Sequence, residues 1–195
     1  NYKNKKNLKE YKEMLDSLAL DLVSKNVMTR QLVITIGYDK DNLNYDGEMQ
    51  TDFYGRKIPK HAHGTVNFNR YTSSSELFIQ EVIKWYDRKV NKDLKVRRMN
   101  IAAIAIKDAS LVKDKDYHEQ LDLFSYTKIK ENKKEKEALE KENRLQKATL
   151  EIKNKYGKNA ILKGLDLEEG ATRKERNAKA TKQINSTNSS NINKY

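Results

Sequence analysis

Leu8, Tyr11, Leu15, Leu18 and Leu22 recur at intervals of three and four, which predicts a helix from about Leu8 to Lys25 with one apolar face. In the next stretch, RQLVITIGYD, Leu32, Ile34 and Ile36 alternate with Val33 and Thr35, the pattern of a strand with one buried face. Residues 39–60 are polar and contain Gly47, Gly55 and the single proline, Pro59, so they read as a long hairpin connection. HGTVNFNRYT sets Val66, Phe68 and Arg70 against Asn67, Asn69 and Tyr71 and predicts a second strand.

Ser73-x-x-Glu76 has the form of a capping box, and Ile79, Val82, Ile83, Tyr86 and Val90 follow at helical spacing, ending near Asn91. RRMNIAAIAIKDA is a third strand whose run Ile101–Ile106 is apolar on both faces, as expected of a central or well-covered strand. The order helix, strand, strand, helix, strand predicts an α+β fold, a layer of helices on one face of a small antiparallel or mixed sheet. It occupies residues 1–114. A linker at 115–128 follows, then a helical C-terminal segment at 129–176 and a low-complexity tail at 177–195 expected to be disordered. Within the helical segment, Leu139, Leu145, Leu150 and Ile152 keep no heptad, which argues against a long coiled coil.

Charge sharpens this picture. Lys and Arg number 40 and Asp and Glu 28, a formal charge of +12, so a polyanionic partner is favoured. The excess is concentrated late: 22 basic and 18 acidic side chains precede Ser125, while 18 and 10 follow from there. Cysteine is absent, which removes thiolate metal sites and disulfides and fits a reducing, cytoplasmic setting. No apolar run approaches the ~20 residues of a membrane span, so no membrane partner is expected.

Catalytic signatures are lacking. His61 and His63 form a His-x-His pair, but no third ligand has suitable spacing, and a solvated pair explains them. His118 stands alone in a loop. Gly157-Lys158 has neither the upstream glycine nor the Ser/Thr of a phosphate loop. Asp39 and Asp41 suit a hydrophilic loop start. Neither a catalytic set nor a metal site is expected.

Binding signals are stronger. Asn67, Asn69 and Arg70 on the second strand, Thr72 and Ser73 before the helix, and Arg97 and Arg98 opening the third strand all donate hydrogen bonds suited to phosphate oxygens. Such a face could grip a nucleic-acid backbone without reading bases, and it could equally be an ordinary solvated sheet face. Gln120, Leu121, Leu123 and Phe124 of QLDLF lie in a charged segment, in the form of a peptide that docks in a preformed groove. The competing reading is an apolar strand or helix end that packs back on the domain.

Taken together, RQLVITIGYD, HGTVNFNRYTSSSELF, VRRMNIAAIAI, QLDLF and LEIKNKYGKNAILKGLDLEEGATRKERN resemble the little-finger domain and C-terminal segment of Y-family (translesion) DNA polymerases, in the UmuC-like branch of Gram-positive bacteria. The resemblance covers about residues 8–177. It implies a little-finger-like fold that holds primer–template DNA, with Asn67, Asn69, Arg70, Thr72, Ser73, Arg97 and Arg98 at the backbone. It also implies a sliding-clamp-binding motif at Gln120, Leu121, Leu123 and Phe124, and an SOS accessory protein as a further partner of the C-terminal segment. DNA-damage tolerance at the nucleoid is the implied setting.

The family's palm, with its metal-binding carboxylates, has no counterpart here, and neither does the first little-finger strand. The chain is therefore expected to be a C-terminal portion of a polymerase, with no cofactor of its own; the parent enzyme would use Mg²⁺ in that palm. AKATKQINSTNSSNINKY replaces the family's usual Gly-Gly-His ending. A stand-alone clamp-binding regulatory protein without polymerase activity is the rival reading. A small RNA-binding module is disfavoured, because the sheet lacks paired surface aromatics.

Overall fold

The computed structural model describes the backbone of residues 2–42, 44–112, 126–167, 169 and 171–179, and the side chains of residues 7–42, 44–112, 134–164, 166–167, 169 and 171–179. In chain order the elements are helix α1 (Tyr2–Ser24), strand β1 (Val27–Tyr38), short strands β2 (Met49–Thr51) and β3 (Lys57–Pro59), strand β4 (Ala62–Thr72), helix α2 (Ser75–Lys89), strand β5 (Val96–Asp108) and helix α3 (Tyr126–Tyr156). Short 3-10 turns lie at Ala109–Leu111 and Gly164–Leu167, and residues 173–179 are helical. The order helix, strand, strand, helix, strand is the expected one, with the β2–β3 hairpin formed inside the 39–60 connection.

The main sheet is antiparallel, in the order β4-β1-β5. On one face, Leu32, Ile34 and Ile36 of β1 and Val66 and Phe68 of β4 meet Tyr11, Leu15, Ala19 and Leu22 of α1 and Phe78, Val82, Trp85 and Tyr86 of α2. Burial stabilises each large side chain here by roughly 1.5–3 kcal/mol. Both helices therefore lie on one face, and the protein is an α+β fold.

One glycine is required for that packing. A Cβ built on Gly64 would stand 2.5 Å from Trp85 Nε1, so only a residue without a side chain lets the indole lie on β4.

Two expectations need correction. The third strand is not central: β1 pairs with both neighbours, and among the described residues β5 pairs only with β1. Its alternation still turns Ile101 and Ala103 toward the core, but Ile104 and Ile106 are 39% and 54% exposed. Apolarity on both faces thus reflects a lightly covered edge rather than a buried centre. The helix cap is also displaced. Ser74, not Ser73, is the N-cap of α2, its hydroxyl accepting from Leu77 N at 3.1 Å. Three successive serines leave the cap register open at the level of sequence, and Glu76 then falls one position short of the capping-box acid.

Helix α3 and the residues after it pack back on the domain. Gln146 is the buried residue of α3 among those described, and its amide donates to Ser73 O at 3.2 Å. Further along, Arg173 is buried against α1. Residues 173–179 carry ordered helix past residue 176, and Asn177 Nδ2 donates to Asn159 Oδ1 at 2.7 Å.

Candidate nucleic-acid interface

Residues directly opposite in an antiparallel pair share a face. The register places Gln31 beside Asn67 and Ile104, Val33 beside Thr65 and Ala102, Thr35 beside His63 and Asn100, and Gly37 beside Arg98. This face is turned away from both helices. Gln31 Nε2 donates to Asn67 Oδ1 at 2.7 Å, and Thr35 Oγ1 and His63 Nδ1 share a hydrogen bond at 2.8 Å. Asn67, Asn69, Arg97 and Arg98 are all exposed. A Cβ on Gly37 would lie 3.3 Å from His61 Nε2 and 3.7 Å from Arg98 Cβ, so both side chains flank this glycine. From Gln31 to Gly37 the row runs about 20 Å, the length of roughly six base-pair steps. The result is a strip of neutral donors and acceptors, interrupted by Val33, Ala102 and Ile104, with the Arg98 guanidinium at one end.

Arg70, Thr72 and Ser73 are not on that strip. Alternation along β4 sends Arg70 and Thr72 to the side of Val66 and Phe68, and these three residues are 7%, 5% and 5% exposed. Helix α3 covers them. Arg70 is ion-paired with Glu135, and Glu142 accepts from Ser75 N and Ser75 Oγ, both at 2.9 Å, and from Ser74 Oγ and Glu76 N. Glu142 thereby supplies, from α3, the acid that Glu76 does not supply to the cap. The carboxylate also sits where the helix dipole favours negative charge. A cavity of about 700 Å³ lies between α3, the end of β4 and the start of β1. The predicted binding residues therefore divide in two, with Asn67, Asn69, Arg97 and Arg98 open to solvent and Arg70, Thr72 and Ser73 under α3.

The residues that dock α3 escape an apolar reading of the sequence. Glu135, Leu139, Glu142, Gln146, Thr149 and Lys153 recur at spacings of four and three, a heptad stripe that is almost entirely polar. Leu145, by contrast, is 63% exposed. The signal was present as periodicity, but in the wrong residue types for a hydrophobic search.

A second polar cluster joins α1 to the C-terminal segment. Arg173 Nη1 lies 2.7 Å from Asp16 Oδ2 and 2.9 Å from Asp166 Oδ2, and Arg173 Nη2 donates to Glu13 O at 2.6 Å. Lys163 also pairs with Asp16. Thr172 Oγ1 and Arg176 reach the Glu13 carboxylate at 3.0 and 2.7 Å. Burial by itself would raise the pKa of Asp16, but the Lys163 and Arg173 cations more than reverse this and hold it below the usual carboxylate value. Lys153 nearby is pushed down, by burial first and by the Arg173 charge second. Nothing in the local sequence marks Glu13 or Asp16 as buried, because their partners lie about 150 residues away.

Gln120, Leu121, Leu123 and Phe124 lie outside the described residues. Among the described residues there is no group of three or more His, Asp or Glu placed to hold a metal, and no helix long and apolar enough to cross a membrane. What the fold and face define is a small α+β domain with an open polar sheet surface and a docked C-terminal helix. No family model, curated protein or solved structure matches the chain.

Proposed function

We propose that this chain is the DNA-gripping and sliding-clamp-docking portion of a translesion DNA polymerase, holding primer–template backbone without base readout and carrying no catalytic group itself. The observation that carries this reading is the outer sheet face, across which Gln31 and Thr35 of β1, Asn67 and Asn69 of β4 and Arg98 of β5 present donors to solvent. Phosphate oxygens accept from such donors, and contacts of that kind position a duplex without sequence preference. The element order and the two helices on a single face support a little-finger-like architecture.

Clamp docking is supported by the sequence of QLDLF and by its place between β5 and α3, where a tethered peptide gains from effective concentration. Tyr156 and Leu167 stay exposed at 68% and 71%, which supports residues 129–176 as a place for an accessory protein.

The test is fluorescence anisotropy with labelled duplexes of unrelated sequence. Affinity should be equal across sequences and should fall on the order of tenfold between about 50 and 200 mM salt. Binding that ignores salt overturns the reading. In a parallel pull-down on a bacterial sliding clamp, Leu123→Ala with Phe124→Ala should abolish association while DNA binding persists; clamp capture unchanged by the pair removes the docking role.

A further inference from the structure

The β2–β3 hairpin ends in an aromatic pair with no place in the domain core. Phe53 is 97% exposed and Tyr54 76% exposed, with ring centroids 5.5 Å apart and planes at 87°. Leaving two such rings in water forgoes the several kcal/mol their burial would provide. Most turns avoid this with small polar residues.

The turn is also stiff. Asp52 Oδ1 accepts from Tyr54 N and Arg56 N, both at 2.9 Å, and its Oδ2 accepts from Arg56 Nε and Nη2 at 2.8 and 2.6 Å. Gly55 takes φ +76°, the left-handed conformation that closes the turn, and the Arg56 guanidinium lies over Tyr54, 4.9 Å from the ring centroid. At the other end, Ile58 and Pro59 are buried, so the hairpin is rooted in the domain. The rings are presented on a preformed support, which lowers the ordering cost of any contact they make.

We infer that Phe53 and Tyr54 are a stacking platform for unpaired bases of single-stranded DNA next to the duplex held on the sheet. Three features favour bases over a protein pocket. The apolar surface is two flat rings flanked by Thr51, Asp52, Arg56 and Lys57, which suits one or two stacked bases better than a broad hydrophobic contact. Arg56 already covers one face of Tyr54 in the arrangement that lets a cation and a stacked base share an aromatic ring. Finally, β3 leads by way of His61 into β4, and His61 and Arg98 both lie beside Gly37, so the root of the hairpin adjoins the cationic end of the polar strip. Duplex backbone on the strip and a single-stranded extension at the hairpin would form one continuous path. This inference rests on the DNA-binding reading above, and its test separates the two.

The full chain is titrated with a blunt duplex, the same duplex with a single-stranded overhang, the duplex with an abasic overhang, and the overhang strand alone. The base-bearing overhang should bind about tenfold tighter than the blunt or abasic duplex, the effect of stacking one base. Phe53→Ala with Tyr54→Ala should erase that advantage, leaving blunt-duplex affinity and the melting temperature unchanged. Phe53→Trp should keep it. An overhang that adds nothing, an advantage that survives without bases, or an advantage indifferent to the double substitution each overturns the platform. Failure to bind blunt duplex, with base-dependent binding of the single strand retained, overturns the duplex-gripping reading alone. Failure to bind any of the four overturns both.

Discussion

Glu142 of α3 accepts hydrogen bonds from both the amide and the hydroxyl of Ser75, 67 residues earlier, and so caps the N-terminus of α2 from outside that helix. Local capping boxes form within four residues and tie nothing else down. This one couples the C-terminal helix to the domain, and the carboxylate that completes the cap also holds a lid over Arg70, Thr72 and Ser73.

Glu142→Ala should leave the Ser75 and Glu76 amides without their acceptor and weaken α3 docking by about 2 kcal/mol. Hydrogen exchange at these two amides should accelerate, and limited proteolysis should reach α3 sooner. Glu142→Gln, which keeps an acceptor but no charge, should fall between. Unchanged exchange at both amides would show that the cap does not depend on α3.

Arg173→Ala leaves Asp16 with Lys163 alone and takes the guanidinium from buried Asp166, and should cost about 3–5 kcal/mol. Thermal denaturation reads this as a drop on the order of 10 °C. Arg173→Lys should not rescue it, because a single ammonium cannot reach Asp16, Asp166 and the Glu13 carbonyl together.

The same cluster sets an acid limit. Because the folded-state pKa of Asp16 lies below its unfolded value, its contribution is complete above pH ~4 and is lost as pH falls further, through the folded value. Asp16→Asn should flatten the stability curve in that acid range; a curve of the same slope would assign the acid sensitivity to other carboxylates.

At the alkaline end the sign reverses. Burial raises the pKa of Tyr11, Tyr38 and Tyr86, so the folded state prefers the neutral phenols. Stability should be unaffected by these groups below pH ~10 and should decline above it. Tyr11→Phe should reduce that decline, followed by tyrosinate absorbance and circular dichroism together.

Gly64→Ala should destabilise by about 1–3 kcal/mol, because the new methyl overlaps the Trp85 indole. Tryptophan fluorescence should shift to the red as the ring is displaced. Trp85→Leu in the same background should recover part of the loss, and its failure to do so would place the strain elsewhere.

Arg98→Ala and Arg70→Ala offer a contrast between the two groups of candidate residues. Arg98→Ala should leave the melting temperature unchanged and lower the slope of log affinity against log salt by about 1. Arg70→Ala should lower the melting temperature, since its side chain is buried beside Glu135. Equal effects of the two on DNA binding, with the fold intact in both, would mean that α3 lifts away when DNA binds.

Much of this was legible residue by residue. The three- and four-residue spacing of Tyr11, Leu15 and Leu22 and the alternation of Leu32, Ile34 and Ile36 mark the core-facing sides, because side-chain direction repeats with a period set by the backbone alone. The same alternation already placed Arg70 opposite Asn67 and Asn69. What it could not say was that a helix more than 50 residues further on would cover Arg70.

The sequence by itself determined the elements, their inward faces and the line of donors on β4, since these depend on neighbours in the chain. Tertiary structure decided that β1 rather than β5 is the centre of the sheet, that Ser74 rather than Ser73 is the cap, and that Glu13, Asp16 and Arg173 are interior. Each of those outcomes depends on partners brought together over long separations. Polar residues carry no hydrophobic signature of their burial; only the position of the opposite charge reveals it.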